Sequence, residues 1–279
     1  MVLATRDRRD SLLASIRRLQ GLPERPPVIV VDNGSQDGSV EALRSTHPDV
    51  DVVALGRNLG APARNIGVAR AATPYVAFAD DDSWWAPGSL DRAADLLDAN
   101  SRLGLVAARI LVGPEQREDP TTAAMAHSPL PSVDGLPGPP VLGFLACGAV
   151  VRRSSFLEVG GFDDLLFFLG EEERVALDLA SRGWHLVYAH DVVAHHHPGS
   201  VADRTGRRRR QLRNQALTAW LRRPLRLAVR RTVDLAVLAA RGDTEARGAL
   251  TEVVIRLPRA LRRRVPLPRA VELAVRGLG

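Results

Sequence analysis

Three consecutive aspartates follow a short apolar run, and they are the residues of this sequence best suited to chemistry. Tyr75–Ala79 predicts a buried strand, and Asp80, Asp81 and Asp82 come directly after it. Alternation would aim Asp80 and Asp82 the same way, and convergent carboxylates repel unless a cation lies between them. Mg²⁺ or Mn²⁺ prefers such oxygen ligands and shares them with substrate phosphates. The alternative is a solvated acidic turn.

Polar residues also follow the earlier apolar runs. Thr5 and Arg6 come after Val2–Ala4, and Asp32 ends the run Val28–Val31. The Asp32 carboxylate could accept a hydrogen bond from a nucleotide base, or it could cap the helix that follows.

The segment from Asn58 to Gly67 combines glycines with an arginine. Arg64 could pair with a diphosphate, or it could be an ordinary surface residue of a helix. In a parallel sheet, ligands bind where the strands end, so these segments together predict one site for a phosphorylated ligand.

Two later clusters could complete this site. Glu171, Glu172 and Glu173 open a predicted helix, and one of them could be a general base. Acidic residues are also favoured at a helix N-terminus by the helix dipole alone. His195–His197 follow a predicted strand, and one of them, with His197 as the first candidate, could join a cation held by Asp82.

The elements that must position these residues alternate between strands and helices. Such an order predicts an α/β fold with a mostly parallel sheet and helices on both faces. The strands are predicted at Val2–Ala4, Val28–Val31, Val50–Leu55, Tyr75–Ala79, Leu103–Val112, a run ending at Val151, and His185–Ala189. Helices are predicted from Asp10 or Ser11 to about 19, and near 37–46, 60–72, 87–98, 153–159 and 171–182.

Two segments depart from this alternation. Residues 113–140 contain seven prolines and predict a long loop, of a length that is usually functional or disordered. From 204 onward the chain predicts basic helices, broken at Pro224, Gly242, Pro258, Pro266 and Pro268. We therefore divide the chain into a catalytic domain, 1–200, and a basic helical extension, 201–279.

Charge is distributed very unevenly between the two halves. Residues 1–198 carry 18 arginines and 26 acids, whereas 199–279 carry 20 arginines and 6 acids, and there is no lysine. Basic amphipathic helices can lie on an anionic membrane, or they can pack on the domain and expose a charged face. Nucleic acid is not expected as a partner, because Trp220 is the single aromatic residue there.

The rest of the composition indicates a cytoplasmic protein. A single cysteine, Cys147, excludes a disulfide framework within the chain and lies in an apolar run typical of a core. Charges at residues 6–10 interrupt any signal peptide, and no segment predicts a membrane-spanning helix. Any membrane contact would be peripheral, at the inner face of the cell membrane.

Taken in order, the motifs resemble the family 2 glycosyltransferases, which have the GT-A fold. The resemblance covers about residues 1–200. The matching pieces are Thr5–Arg8, Val31–Ser39, Asn58–Gly60, Ala63–Asn65, Phe78–Asp82, Gly160–Asp163 and Glu171–Glu172.

The resemblance implies a role for each residue of the site. Thr5 and Asp32 would hold the nucleotide base, and Arg64 would approach the base or the diphosphate. Asp80 and Asp82 match the Asp-x-Asp motif that handles the ribose and the metal-bound diphosphate. Arg6 and Asn58 would border the nucleotide.

It also implies transfer of a sugar from a nucleotide diphosphate-sugar to a hydroxyl, with inversion, onto an envelope or lipid-linked glycan. Glu172 falls where the family usually has an aspartate base, and Arg174 stands where another acid is common, so Glu171 and Glu173 remain candidates. A sugar nucleotidyltransferase would need a Gly-rich phosphate loop and a lysine near the first strand, and neither is present. A non-catalytic nucleotide-sugar-binding scaffold is the other alternative.

Overall fold

The computed structural model describes residues 1–199 and 206–278. Its strands are β1 (Val2–Thr5), β2 (Ile29–Asp32), β3 (Asp51–Ala54), β4 (Tyr75–Ala79), β5 (Ser83–Trp85), β6 (Leu103–Val112), β7 (Arg117–Glu118), β8 (Ala149–Arg152) and β9 (His185–His196). Its helices are α1 (Arg9–Gln20), α2 (Ser39–Thr46), α3 (Ala63–Arg70), α4 (Ser89–Ala99), α5 (Pro120–Ala126), α6 (Arg153–Glu158), α7 (Glu171–Ser181), α8 (Arg207–Arg222), α9 (Leu225–Ala240), α10 (Thr244–Arg262) and α11 (Arg269–Gly277).

One mixed sheet organises the first part of the chain, in the order β3-β2-β1-β4-β8-β6-β9-β5, with β7 paired to β6. The parallel alternation predicted for β1 to β4 is confirmed, since β1 pairs in parallel with both β2 and β4. Strand β8 enters between β4 and β6 and is antiparallel to both. The carboxyl ends of β1, β2 and β4 therefore meet at one rim of the sheet.

Apolar layers cover both faces of this sheet. Along β1, Leu3 packs into one layer with Ile16, and Val2 packs into the other with Phe78. Alternate residues of a strand face opposite sides, so a continuous apolar run is what a strand covered on both faces requires. Cys147 is buried in the first layer, as predicted for a core residue.

Several element boundaries differ from prediction. Helix α1 begins at Arg9 after Arg8, not at Asp10 or Ser11. Strand β9 continues to His196 instead of ending at Ala189, because it pairs with both β6 and the unpredicted β5. These sheet partners are distant in sequence, so local patterns do not show them.

The segment 113–140, predicted as a loop, contains β7 and α5. The Asp119 carboxylate caps α5 by accepting the Thr121 N–H at 2.7 Å, and Pro120 occupies the first helical position. This is a standard helix-start pattern. The prediction of a loop throughout 113–140, made from the number of prolines, was therefore wrong for this part of the segment.

Helix α10 runs through Pro258, where a break was predicted. A proline removes one backbone hydrogen bond, but Val253 and Ala260 on either side are fully buried in the core of the C-terminal helices. Packing therefore keeps the helix continuous.

Helices α8 to α10 pack on the sheet domain through Leu165 and Leu166, which share a core with Leu217 and Leu221. The boundary predicted at 200–201 and the tail's start at 204 fall outside the described residues. Within 1–199 and 206–278, every helix is too short or too polar to cross a membrane.

Candidate active site

The aspartates that follow β4 are bound to the end of β1. The Thr5 hydroxyl donates to Asp81 at 2.9 Å, and Arg8 Nη2 lies 3.1 Å from Asp82. Burial, reinforced by the charge of Asp82, raises the pKa of Asp81 to about 7. Asp81 and Asp82 thus connect the residues after β4 to the residues at the end of β1.

Asp32 organises the turn after β2. Its carboxylate accepts the backbone N–H groups of Gly34 and Ser35 at 3.0 and 2.9 Å, and the Ser35 hydroxyl as well. The side chain is buried. Asp32 therefore closes the turn and does not cap α2, whose N-cap is Gly38, and its contact with a base stays a prediction.

Asn33, which the sequence analysis did not single out, joins the β2 turn to the glycine segment. It accepts the Leu59 N–H at 2.9 Å and donates to the Gly60 carbonyl at 3.3 Å. Asn58 is exposed, and its side chain accepts the Gly60 N–H at 2.8 Å. Arg6 is also exposed and lies 3.4 Å from Asp7.

Arg64 is the centre of the site. Its buried guanidinium forms an ion pair with Asp80. Although burial would lower it, the negative charges of Asp80, Glu171 and Glu172 raise the pKa of Arg64. The aspartate rim and the start of α7 therefore act on one guanidinium and belong to a single site.

The glutamates are held in a desolvated environment. Burial raises the pKa of Glu171 well above its usual value, and the charge of Glu172 adds to the effect. Burial also raises the pKa of Glu172, although the Ala146 N–H and Arg64 oppose it. Glu171 has one buried carboxylate oxygen without a hydrogen-bond partner in the described residues. Carboxyls with raised pKa values are typical of general bases.

Glu173 points to different neighbours. Burial raises its pKa, and the opposing charges come from Arg223 and Arg231 of the C-terminal helices. Arg64 is not among the charges that act on Glu173, which favours Glu171 and Glu172 as the candidates nearest the aspartates.

Among the three histidines, His196 is the one whose side chain contacts the rim. Its Nε2 lies 3.4 Å from Asp82, and this contact raises the pKa of His196 although burial would lower it. The rings of His195 and His197 pack against Trp84 at 5.4 and 4.6 Å between centroids. His197 touches Asp82 through its backbone N–H, at 2.8 Å, and its role as a metal ligand stays a prediction.

The side chains at the rim suit a divalent cation that is shared with a substrate. Across residues 1–199 and 206–278, no three side chains of His, Cys, Asp or Glu form a ready-made metal cage. Mg²⁺-type sites often use one or two carboxylates and complete their coordination with substrate phosphates. Carboxylates outnumber guanidinium groups here, and the charges of Asp82 and Asp80 add to burial in raising the pKa of Asp81 to about 7. A cation would offset this negative charge.

A strained loop sets the position of α7. Phe167 and Leu169 both have positive φ angles, of 67° and 73°, which cost free energy for residues other than glycine. The Ala61 N–H donates to the Phe167 carbonyl at 2.7 Å, which connects this loop to the glycine segment.

Helix α8 holds the same loop from the other side. The buried Asn214 amide nitrogen lies 2.9 Å from the carbonyls of Leu166 and Phe168 and 2.5 Å from that of Leu169. Arg213 Nη2 donates to Leu166 at 2.6 Å. Neither residue was identified from the sequence, because an Asn inside a basic helix gives no local sign of a distant partner.

Arg174, the departure noted in the sequence, is structural. It lies 2.9 Å from Asp178 and 3.4 Å from Asp163, and donates to the Gly161 carbonyl at 3.1 Å. It thus fastens the Gly160–Asp163 segment to α7.

Comparison with known proteins relates the sequence and fold of this chain to one family. The model of the family described as Glycosyl transferase family 2 matches residues 1–160. An N-acetylglucosaminyl-diphospho-decaprenol L-rhamnosyltransferase of Mycobacterium tuberculosis is 27% identical, over 76% of this chain and 82% of its own length. A pre-mycofactocin glycosyltransferase of the same species is 32% identical, over 73% of this chain and 43% of its own length.

Solved structures show the same fold. A mannosyltransferase of Pyrobaculum calidifontis, in complex with GDP-Man and Mn²⁺, superposes with a TM-score of 0.57 at 19% identity, over 99% of this chain and 84% of that one. TarS of S. aureus, residues 1–349 in complex with UDP-GlcNAc, gives 0.58 at 16% identity, over 78% of this chain and 65% of that one.

Proposed function

The chain belongs to glycosyl transferase family 2, and from that premise we propose that it transfers a sugar from a nucleotide diphosphate-sugar to an acceptor hydroxyl with inversion. In this proposal Asp80 and Asp82 form the Asp-x-Asp motif, and Thr5, Arg6, Asp32 and Asn58 line the nucleotide side. Arg64 faces the diphosphate.

The observation that carries the proposal is the position of Arg64. Its buried guanidinium is paired with Asp80 and lies in the field of Glu171 and Glu172. A donor diphosphate near Asp80 and a base on α7 would therefore both act on this guanidinium.

The reaction is a direct displacement. The acceptor oxygen forms a bond to the anomeric carbon while the bond from that carbon to the diphosphate oxygen breaks, and the electron pair leaves with the nucleoside diphosphate. Glu172 takes the hydroxyl proton, with Glu171 as the alternative base. Arg64 stays charged and stabilises the departing phosphate.

Asp82, with Asp80, would hold Mg²⁺ or Mn²⁺, which supplies positive charge to the leaving diphosphate when bound. The mannosyltransferase with the same fold was solved with Mn²⁺, which supports this assignment. His197 or, by its distance to Asp82, His196 would complete the protein ligands.

The acceptor is proposed to be a lipid-linked or cell-envelope glycan, reached at the inner face of the cell membrane. Support comes from the rhamnosyltransferase relative, whose name describes a diphospho-decaprenol substrate, and from the excess of arginine in the C-terminal helices. Those helices, with the rest of 204–279, would contact anionic lipid peripherally, with no nucleic acid involved.

A donor panel tests the proposal. Purified protein is incubated with uridine, guanosine and thymidine diphosphate-sugars and Mn²⁺ or Mg²⁺, and release of nucleoside diphosphate and thermal stabilisation are measured. We expect one donor to be turned over, with EDTA abolishing release. A protein that binds a donor but never turns it over with any acceptor would be a scaffold, and one that binds none would contradict the proposal altogether.

A further inference from the structure

A cleft of about 360 Å³ lies among the C-terminal helices, away from the sheet rim. Four arginines and one leucine line it: Arg223, Arg226, Leu227, Arg230 and Arg276. They come from the end of α8, the start of α9 and the end of α11. None of them belongs to the site described above.

The acids near this cleft only partly neutralise it. The buried Glu272 pairs with Arg223 at 2.7 Å and with Arg276 at 2.9 Å. Asp234 lies 4.0 Å from Arg230, and both of these side chains are exposed. Among the described residues, Arg226 forms no ion pair. The cleft therefore keeps a positive excess, and guanidinium groups bind phosphate oxygens with two parallel hydrogen bonds.

An apolar stripe runs along α9 beside the cleft. Its four members are exposed by 43–55% and recur every fourth residue: Leu225, Val229, Val233 and Val237. Residues four apart lie on one helical face, so the stripe is continuous and borders Arg226 and Arg230. Leu273 of α11 is 55% exposed as well. A surface that is apolar and cationic together suits an anionic amphiphile.

The cleft also lies beside α7. Arg222, which precedes the cleft residue Arg223 in the chain, forms an ion pair with Asp178 of α7. Along this side of the molecule, an apolar stripe, a group of arginines and the helix that begins with the candidate bases thus follow one another.

We propose that the arginine cleft binds the diphosphate of a lipid-linked acceptor. The order of surfaces matches the order of parts in such a molecule, which are a hydrocarbon chain, a diphosphate and a sugar. The inference rests on the proposed function, since it identifies the acceptor of the same reaction. Arg226 and Arg230 are its specific phosphate contacts, because Glu272 already engages the other two arginines.

Binding of farnesyl diphosphate, a short soluble prenyl diphosphate, tests this directly. Titration calorimetry is done in EDTA, so that the probe does not enter the donor site through a cation, and is repeated in Asp82→Asn. We expect the same affinity in both backgrounds, and a loss of roughly tenfold or more in Arg226→Ala/Arg230→Ala. Arg44→Ala/Arg247→Ala, which removes equal charge from exposed positions, should bind like the unmodified protein.

Two results would overturn the inference. Farnesyl diphosphate could bind the double variant with unchanged affinity, or farnesol could bind as well as the diphosphate, which would leave the arginines without a role. In the first case, a loss of binding to phosphatidylglycerol vesicles in the double variant would assign the cleft to bulk phospholipid.

Donor hydrolysis, with water as acceptor, separates this inference from the proposed function. We expect the double variant to hydrolyse nucleotide-sugar at the unmodified rate. If the unmodified protein hydrolyses no donor, the proposed function fails, whereas the probe titration still decides whether the cleft binds diphosphate.

Discussion

The sheet rim and the C-terminal helices use arginine in opposite ways. At the rim, Arg8 and Arg64 are enclosed by a larger number of carboxylates. In the helices, arginines outnumber acids by 20 to 6 over residues 199–279, and Arg226 and Arg230 are exposed. The first region therefore attracts a cation and the second attracts anions. Under the functions proposed above, this difference in charge would direct the metal-bound donor to the rim and the phosphorylated acceptor to the C-terminal helices.

The two regions are nevertheless structurally connected, because α8 contacts the loop that leads to the glutamates. Asn214 and Arg213 contact the carbonyls of that loop, and the loop contacts the glycine segment through Phe167 and Ala61. The division at residue 200, drawn from charge and helical pattern, stays a prediction, because that boundary lies outside the described residues.

Removing the base should give the largest effect on activity. Glu172→Gln keeps the size of the side chain but removes its basicity, and we expect the transfer rate to fall by about 10²–10⁴-fold with donor affinity nearly unchanged. Steady-state transfer kinetics check this, with the exposed Glu115→Gln as control. If Glu171→Gln shows the loss and Glu172→Gln does not, the base is Glu171. Loss in neither would remove the glutamates from the mechanism.

Two glycines with similar backbone geometry allow a test of the contact between the glycine segment and the loop that leads to α7. Gly60 and Gly56 have φ angles of +69° and +64°, but a Cβ at Gly60 would lie 2.3 Å from the Phe167 carbonyl, whereas one at Gly56 meets nothing within 4 Å. We expect Gly56→Ala to cost about 1 kcal/mol in unfolding free energy. Gly60→Ala should cost about 1–3 kcal/mol more and slow transfer. Urea unfolding and transfer rates measure both, and equal effects would show that the loop contact is unimportant.

Asn214→Ala tests the contact from the helical side. It leaves buried carbonyls without a donor, so we expect a loss of about 1–3 kcal/mol in unfolding free energy. If Asn214 also positions α7, the transfer rate should fall at temperatures where the variant is fully folded, while donor affinity is retained. Its exposed neighbour Gln215 provides the control, Gln215→Ala. A fully folded Asn214→Ala with normal transfer would limit the residue to stability.

A smaller effect is expected from pH. The base must be ionised, and burial raises the pKa of Glu171 and Glu172, so activity should decline on the acid side of a midpoint above the usual glutamate value of 4.5. Stability changes in the opposite sense, because the folded protein keeps a proton that the unfolded chain loses above pH 4.5. The contribution of Glu171 to stability should therefore fall as pH rises through its folded pKa. Unfolding of Glu171→Gln at pH 5 and pH 8 should lack that fall.

Sequence patterns predicted those parts of this molecule that depend on residues close together in the chain. The apolar runs of β1, β2 and β4 and the polar residues after them placed Thr5, Asp32 and Asp80 at one rim, because consecutive parallel strands end at the same edge. The antiparallel β8, the extension of β9 to His196 and the role of Asn214 depend on partners far away in the chain, which no local period reveals.

The charge pattern of the sequence indicated which segments form the candidate site, but not which side chains pair with one another. The three aspartates were recognised together, but their separate partners, with Arg64 on Asp80, Thr5 on Asp81 and His196 on Asp82, follow only from three-dimensional packing. The prolines of 113–140 suggested a loop, and Asp119 with Pro120 formed a helix start instead.

The most direct test of the account is metal-dependent turnover at the aspartate rim. Release of nucleoside diphosphate from the preferred nucleotide-sugar is measured against Mn²⁺ concentration for the unmodified protein, Asp82→Asn and the exposed control Asp134→Asn. The account predicts saturable activation by Mn²⁺ in the unmodified protein and the control, and a loss of about 10²–10³-fold in Asp82→Asn. Full turnover by Asp82→Asn, or by the unmodified protein in EDTA, would contradict it.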